Sequence, residues 1–440
     1  MLRARDAIDR SDLDERSDFA DPSMRFLLIQ QFFPGPVAPG PMQPRRLVGE
    51  LVARGHRVDV IACDLNAYNE QQEPEECFES PGGGVGRVHR LPVARGLRRG
   101  LSSRLRIYGR FAIAANRRGL ALGRPDAVIG SIQPLFSGVA ARRLARRFRV
   151  PFLLEVRDLW PDALVVRRLI PRWQGWVLER LARSCYFGAD RVVCLTPGLK
   201  QEILRKGVPA ERVDLFPNAF DEELFRIPPG TRERVRAEHG WNGSFVAIYT
   251  GVHTSVTAIE CIVRAAAELR SRPDIRLDLF GYGQTKASSM ALARELGLSN
   301  IHFHDPVPKI RVPELLAGAD AGIMTLFRSP LVHIYFENKL IDYLAAGLPV
   351  VAAMDGVQPR LLEREGAGRA VPSLDHEGLA RVIRETADDP NRAAMGAAGR
   401  AFITTSLTQR TVLRHYADTL EALATGTVDR RPVWDPLALS

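Results

Sequence analysis

From Met24 onward, short apolar runs alternate with stretches in which apolar positions recur every three or four residues. RFLLIQQ predicts a first strand, and Leu47, Val48, Leu51 and Val52 predict a helix that stops at Gly55 before the strand RVDVIA. Further strands are expected at DAVIGS, PFLLEV and RVVCLT, with helices between them running to about Arg147 and Gly188. The alternation restarts at SFVAIYTG and continues through a helix at 259–269, IRLDLFGYG, NIHFHD and DAGIMTL to the segment FENKLIDYLAAGLPVVA at 336–352. Brief apolar strands separated by helices predict parallel sheets covered on both faces. The fold class is therefore α/β, with two doubly wound units at 24–215 and 216–405, then a crossover helix and tail at 406–440. In that last helix Val412, Tyr416, Leu420 and Leu423 share a face that would return to the first unit, while residues after Thr425 read as loose. Residues 1–23 carry mixed charge without a period and are expected to be a disordered extension.

Composition narrows the class. A chain of 440 residues that is 45% hydrophobic and 25% charged fits two globular domains. No apolar run reaches the roughly 18 residues needed to cross a bilayer, and no apolar signal core opens the chain, so a cytoplasmic location is expected. Cys63, Cys77, Cys185, Cys194 and Cys261 are scattered and odd in number, which argues against a disulfide framework or a zinc site and for buried thiols.

The net charge of +10 is concentrated in the first half, where eleven arginines and no acidic residue lie between Arg87 and Arg124. The stretch at 98–118 reads as a helix with a stripe at Leu101, Leu105, Tyr108, Ala112 and Ala115, flanked by Arg99, Arg104, Arg106, Arg110, Arg117 and Arg118. It is either a packing helix with a solvated basic face or a helix that rests on an anionic membrane surface. Nucleic acid is disfavoured as a partner, because aromatic residues do not interleave the charges.

Candidate chemistry sits at strand ends. Gly251 follows IYT, Gly281 and Gly283 follow LDLF, and Asn338, read as an N-cap, opens a helix beside Lys339, one of only five lysines against 56 arginines. Glycines admit a ligand to the backbone, and a helix N-terminus offers amide hydrogens and positive dipole, which together suit a diphosphate. GYG does not match GxGxxG, and no Walker sequence occurs, so NAD binding and ATP hydrolysis lose support. Taken alone, Lys339 and Asp342 read as an outward-facing i, i+3 ion pair. Beside glycines on neighbouring strand ends, they read as a phosphate ligand and a hydroxyl ligand. In the first half, EVRDLWPD puts Glu155, Arg157, Asp158 and Asp162 beside the stiff wall of Trp160 and Pro161. Arg157 either ties down the loop by pairing with Glu155 or Asp158, or serves a site at the strand's carboxyl end.

These residues resemble a known family, the family-4 glycosyltransferases of the GT-B fold, in the branch that builds bacterial surface polysaccharides. The resemblance runs from about Met24 to Ile403 through QQFFPGPVAPGPMQPRRLVGELVARGHRVDVIA, PFLLEVRDLWPD, RVVCLTPGLKQEI, LFPNAFD, LDLFGYGQ, VPELLAGADAGIMTL and FENKLIDYLAAGLPVVA. It implies two Rossmann-like domains facing a cleft, with a nucleoside-diphosphate sugar held by the second and a glycan or polyprenyl-linked acceptor by the first. It also implies transfer with retention, no metal and no further cofactor. Asp342 takes the place of the second of two glutamates spaced by seven residues, implying a ribose contact, and Asp158 falls near the family's polar catalytic position.

This chain departs from the pattern in places. Ile334 stands where the first glutamate belongs, leaving Glu337 as the shifted catalytic candidate beside Lys339. GVHTSVTAIE lacks the family's frequent basic residues, so phosphate contacts fall on Lys339 with His253 and Thr254 as helpers. The first loop keeps Gly35 and Gly40 among four prolines and, with Arg157 and Trp160, is the candidate acceptor site. A UDP-sugar epimerase and a non-catalytic glycan-binding protein are the alternatives.

Overall fold

The computed structural model describes residues 23–36, 42–67, 70–93, 100–166, 169–329 and 332–438. The first unit runs β1 (Arg25–Ile29), α1 (Gln43–Ala53), β2 (Arg57–Cys63), β3 (Glu76–Glu79), β4 (Val85–Leu91), α2 (Leu101–Leu122), β5 (Ala127–Ser131) and α3 (Leu135–Phe148). It continues with β6 (Phe152–Val156), α4 (Asp162–Val166), α5 (Arg172–Phe187), β7 (Arg191–Cys194), α6 (Pro197–Arg205) and β8 (Val213–Leu215). The second has α7 (Thr231–His239), β9 (Phe245–Thr250), α8 (Ile259–Glu268), β10 (Ile275–Phe280), α9 (Lys286–Glu295), β11 (Ile301–His304), α10 (Val312–Ala317) and β12 (Ala321–Thr325). There follow α11 (Asn338–Ala345), β13 (Val350–Ala353), α12 (Val357–Arg364), β14 (Gly368–Val371), α13 (His376–Asp388), α14 (Arg392–Ser406) and α15 (Gln409–Ala424).

Two sheets result, one ordered β3-β4-β2-β1-β5-β6-β7-β8 and the other β11-β10-β9-β12-β13-β14. Among the described residues, every pairing between these strands is parallel except β3 with β4 at the edge of the first sheet. The central strands β5, β6 and β12 are buried at every position, as parallel strands covered by helices on both faces must be. The architecture is the expected pair of Rossmann-like units.

Several expectations need correction. β3 is antiparallel, and its half-buried and exposed residues alternate as befits an edge strand. In α2 Tyr108 and Ala115 of the expected stripe are buried, but Ile107, Phe111 and Gly119 are buried with them while Leu105 and Ala112 are only half-buried, so the buried stripe is rotated from the one read in the sequence. Cys77 is exposed, unlike the other four thiols. The tail beyond Thr425 is packed: Trp434 stacks on Phe216 and His415, and its carbonyl accepts from Leu215 N at 2.8 Å. The expected return of α15 is present, with that helix lying against α1. Residues 1–22, Gly40 and Arg99 lie outside the described residues.

The two units meet at the start of α6 and the short turn Val332–Ile334. Thr196 caps α6 by accepting from Leu199 N and donates its own hydroxyl hydrogen to the Ile334 carbonyl at 2.8 Å. Gly198 is required here, since a Cβ would fall 1.9 Å from the His333 carbonyl oxygen.

Candidate active site

At the carboxyl ends of β9 and β10, a cleft of about 430 Å³ is lined by Gly251, Gly281, Val307, Glu337, Lys339 and Asp342, among others. Its floor is a close crossing of two loops. A Cβ on Gly281 would fall 1.8 Å from the Gly251 carbonyl oxygen, and one on Gly283, at φ +149°, would fall 2.1 Å from the His253 carbonyl oxygen. Only glycine allows both approaches. Lys286 pins the crossing from behind, donating to the carbonyls of Gly281 at 3.0 Å and His304 at 2.7 Å.

One wall is the start of α11. Glu337, not Asn338, is the N-cap residue, and among the described residues no side chain caps the helix, so the amide end of its dipole faces the cleft uncapped. Asn338 occupies the first helical position, where its Oδ1 accepts from Asn218 at 2.8 Å. Lys339 does not point outward beside Asp342. It is only 8% exposed; its ammonium donates to Glu337 at 3.0 Å and to the Tyr249 hydroxyl at 3.2 Å, with its Cε and Nζ against Gly251. Burial alone would lower its pKa, but Glu337 and the hydroxyls of Tyr249 and Tyr343 outweigh that and hold the ammonium above the ordinary lysine range.

Tyr343 is itself seated on Gly322, whose missing side chain leaves room for the ring, and its hydroxyl accepts from Thr250 N at 2.9 Å. Asp342 pairs with Lys309 rather than Lys339. Burial pushes the Asp342 carboxyl up from the usual carboxylate range, and Lys309 opposes the rise. Lys309 and Tyr249 escaped the sequence reading, although Lys309's rarity as a lysine was a usable signal.

His253 and Thr254 are not on the cleft lining. His253 lies fully buried beneath the loops, between Tyr249 and Phe303, and neither ring nitrogen has a hydrogen-bond partner among the described residues. Burial first, then Lys286 and Lys339, lower its pKa to about 4, so it is neutral at physiological pH and supports the loop rather than meeting phosphate as a cation. Thr254 lines a separate hollow of about 780 Å³ with Thr285, Phe327 and His376.

In the first unit Arg157 forms the inward pair with Glu155 at 3.2 Å and donates to Gln43 Oε1 at 3.2 Å, so it orders the end of β6 instead of facing an acceptor. Asp158 accepts from Leu159 N at 2.8 Å, and Trp160 packs edge-on to Tyr108. Gly35 is buried, beside a Pro34 carbonyl held by Arg45. Gln43 also donates to the carbonyls of Phe216 and Pro217 at 3.2 Å. A polar relay thus runs from Arg157 through Gln43 and the 216–218 passage to Asn218 and Asn338, joining the two candidate sites.

Among the described residues no three His, Cys, Asp or Glu side chains are grouped to hold a metal ion, and no helix is long and apolar enough to cross a membrane.

Comparison with known proteins agrees with this geometry. Residues 42–219 match the model of the glycosyl transferase 4-like domain, and residues 244–389 match that of glycosyl transferases group 1. A putative colanic acid biosynthesis glycosyl transferase, WcaI of Escherichia coli (strain K12), is 26% identical over 313 residues, covering 68% of this chain and 76% of that protein. A GDP-mannose-dependent phosphatidylinositol monomannoside mannosyltransferase of Mycobacterium tuberculosis is 26% identical over 256 residues, covering 56% of this chain and 66% of that protein. Among solved structures, Anabaena HepE in complex with UDP-glucose superposes with a TM-score of 0.64 at 16% identity, over 91% of this chain and all of that one. WaaG, a glycosyltransferase involved in lipopolysaccharide biosynthesis, gives 0.63 at 18% identity, over 90% and 99%. With two matched domain models in order along most of its length and this fold, the chain belongs to the family-4 glycosyltransferases of the GT-B fold.

Proposed function

We propose that this glycosyltransferase moves a hexosyl or N-acetylhexosaminyl group from a nucleoside-diphosphate sugar to a glycan carried on a lipid, with retention and without a metal. The carrying observation is the buried Lys339 ammonium at the uncapped start of α11, facing the Gly251–Gly281 crossing. As the bond from C1 to the diphosphate oxygen breaks, negative charge grows on that oxygen, and an ammonium and helix amides already in place stabilise it. The acceptor hydroxyl then adds to the same face of C1, and its proton passes to the departing phosphate. This route needs no pair of carboxylates flanking the sugar.

Asp342 takes the ribose hydroxyls in this reading, and Phe280 and Val307 offer an apolar wall to the base. Glu337 holds Lys339 in place, and Asp158 and Trp160 stand at the acceptor's side. The relatives' names support a lipid or polymer acceptor, since one is named for colanic acid biosynthesis and one for a phosphatidylinositol mannoside. The reading places the reaction on the cytoplasmic side of a membrane, where the protein would sit peripherally.

A thermal-shift screen against UDP- and GDP-sugars tests the donor, because a ligand that binds only the folded state raises its melting temperature. Turnover is then followed as nucleotide released on adding a polyprenyl-linked glycan, with and without chelator, and the product's anomeric configuration is read by NMR. A chain that no nucleotide sugar stabilises, or that epimerises the donor without acceptor, would sink the proposal.

A further inference from the structure

Helix α5 presents an apolar face that none of the described residues covers. Trp173 and Trp176 are 68% and 63% exposed, Val177 is exposed beside them, and Phe187 is exposed at the far end of the helix. At helical spacing these four fall on one side, while Leu178, Ala182 and Cys185 are buried on the other. Two indoles in the open are unusual for a face that only meets water. Arginines are interleaved with them: the Arg180 guanidinium lies 5.1 Å from the centre of the Trp176 ring, and that of Arg183 lies 4.9 Å from the centre of the Phe187 ring. The single acidic residue of α5, Glu179, is paired with Lys206 at 2.9 Å, a cation it shares with Asp162. Beside α5 lies α3, and beside α3 lies α2. Neither contains an acidic residue, and both turn arginines outward, Arg110 and Arg117 from α2 and Arg143, Arg146 and Arg147 from α3.

We propose that the α5 face, flanked by the arginines of α2 and α3, seats this protein on a bilayer rich in anionic lipid, with Trp173 and Trp176 entering the headgroup boundary. Indole suits that boundary because its ring is apolar and its N–H can stay hydrated. Arginine stems lie along apolar surface while their heads reach phosphates, and each cation near such a surface strengthens binding about fivefold. A second copy of the chain is a poor occupant, since two such fields of arginine would confront each other. Single-stranded nucleic acid suits a groove, whereas this face is a convex helix. The inserting element is thus α5, which the sequence did not single out, with the basic helix α2 as its flank.

The placement has a consequence for the acceptor. Trp160 and Pro161 lead directly into α4, whose Val165 fills the space that Gly175 of α5 leaves open. Lys206 joins Asp162 of α4 to Glu179 of α5 at 3.0 and 2.9 Å. Membrane-seated tryptophans therefore lie one short helix from the candidate acceptor mouth. That use rests on the lipid-linked acceptor proposed above, whereas the docking itself rests only on the face.

The test uses the full chain in co-sedimentation with vesicles of phosphatidylcholine alone or mixed with phosphatidylglycerol, at low and high salt. Binding is expected only to the anionic vesicles. W173S/W176S should weaken it at least tenfold, and Arg180→Ala with Arg183→Ala should weaken it severalfold, both without change in melting temperature or in stabilisation by nucleotide sugars. Brominated lipid should quench the fluorescence of the wild-type chain and not of W173S/W176S. Equal sedimentation of wild type and W173S/W176S overturns the proposal. So does a wild-type dimer that W173S/W176S converts to monomer, or a single-stranded RNA affinity equal to the vesicle affinity. Loss of nucleotide-sugar stabilisation in the wild type would sink the transfer reading while leaving this result standing.

Discussion

Lys339 and Glu337 stand two residues apart at the mouth of α11 and form a 3.0 Å ion pair, so the cation of the cleft is fixed before any ligand arrives. Its ammonium is also the hydrogen-bond donor to Tyr249, which leaves the side chain little freedom to lose on binding. Lys339→Ala should therefore weaken UDP or GDP binding by about a hundredfold, or about 3 kcal/mol, as expected for truncating one partner of a buried charged contact. Glu337→Gln removes a carboxylate that competes with phosphate and should leave nucleotide affinity equal or tighter. Titration calorimetry with both nucleotides checks the pair, and an unchanged affinity in Lys339→Ala removes this lysine from the site.

Gly281→Ala should be costly for a different reason. The added methyl would collide with the Gly251 carbonyl oxygen, a backbone atom that cannot swing away, and would come within 3.0 Å of His253 Nε2. The expected loss is about 2–3 kcal/mol of stability, together with the loss of nucleotide-induced stabilisation. Gly297→Ala is the control. Gly297 also has positive φ, at +64°, but a Cβ there meets nothing within 4 Å, so it should cost about 1 kcal/mol and leave binding intact. Urea titrations with and without nucleotide separate the two outcomes.

The strands the sequence predicts, such as FVAIYT of β9 and FLLEV of β6, were legible because burial on both faces forces continuous apolar runs. β3, β4, β8 and β14 were not: ECFE and GRAV are short and only partly buried, VDL of β8 has three residues, and glycine and charged residues interrupt VGRVHRL of β4. The glycines and Lys339 could be picked out as residue types, but the direction of Lys339 could not. A helical wheel puts it off the apolar stripe, yet Tyr249 and Gly251, far away in the chain, make that side an interior too. Asp342's true partner, Lys309, lies 33 residues earlier, beyond any local rule. The relay through Gln43 depends on three chain segments meeting, which local periodicity does not encode.

Trp434→Ala tests the packed tail. The indole stacks on Phe216 at 5.2 Å and on His415 at 4.6 Å between ring centres, and its backbone N–H donates to Asp214 Oδ1 at 2.8 Å. The tail thus covers the edge of the first sheet beside β8. Removing the half-buried ring should cost about 2 kcal/mol, read as a lower urea midpoint with unchanged slope.

Acid should weaken the fold partly through His253. Its folded-state pKa, about 4, lies below the 6.5 of an ordinary histidine, so between those values the unfolded chain binds more protons. The stabilisation from keeping this ring neutral is intact above about pH 6.5 and is lost progressively as pH falls toward about 4, reaching about 3 kcal/mol at the extreme. His253→Phe keeps a ring against Tyr249 and Phe303 without a titrating nitrogen. Its stability should fall less steeply than wild type over that range in urea titrations at a series of pH values, and equal slopes would clear His253 of the role.

Asp342 should divide the nucleoside from the diphosphate. If its carboxylate receives ribose hydroxyls, Asp342→Ala removes charged hydrogen bonds of about 1.5–3 kcal/mol from UDP and GDP and nothing from inorganic pyrophosphate, which engages Lys339 and the helix amides alone. Nucleotide affinity should fall about tenfold to a hundredfold while pyrophosphate affinity holds. Burial raises the Asp342 pKa, so its charged form is favoured less than in an exposed aspartate, and nucleotide binding should tighten as pH rises through the carboxylate range. Lys309 opposes that rise by pairing with the carboxylate, so Lys309→Ala should move the tightening to higher pH. A pyrophosphate affinity that falls in step with UDP in Asp342→Ala would place this carboxylate among the phosphate contacts and reassign the ribose end of the cleft.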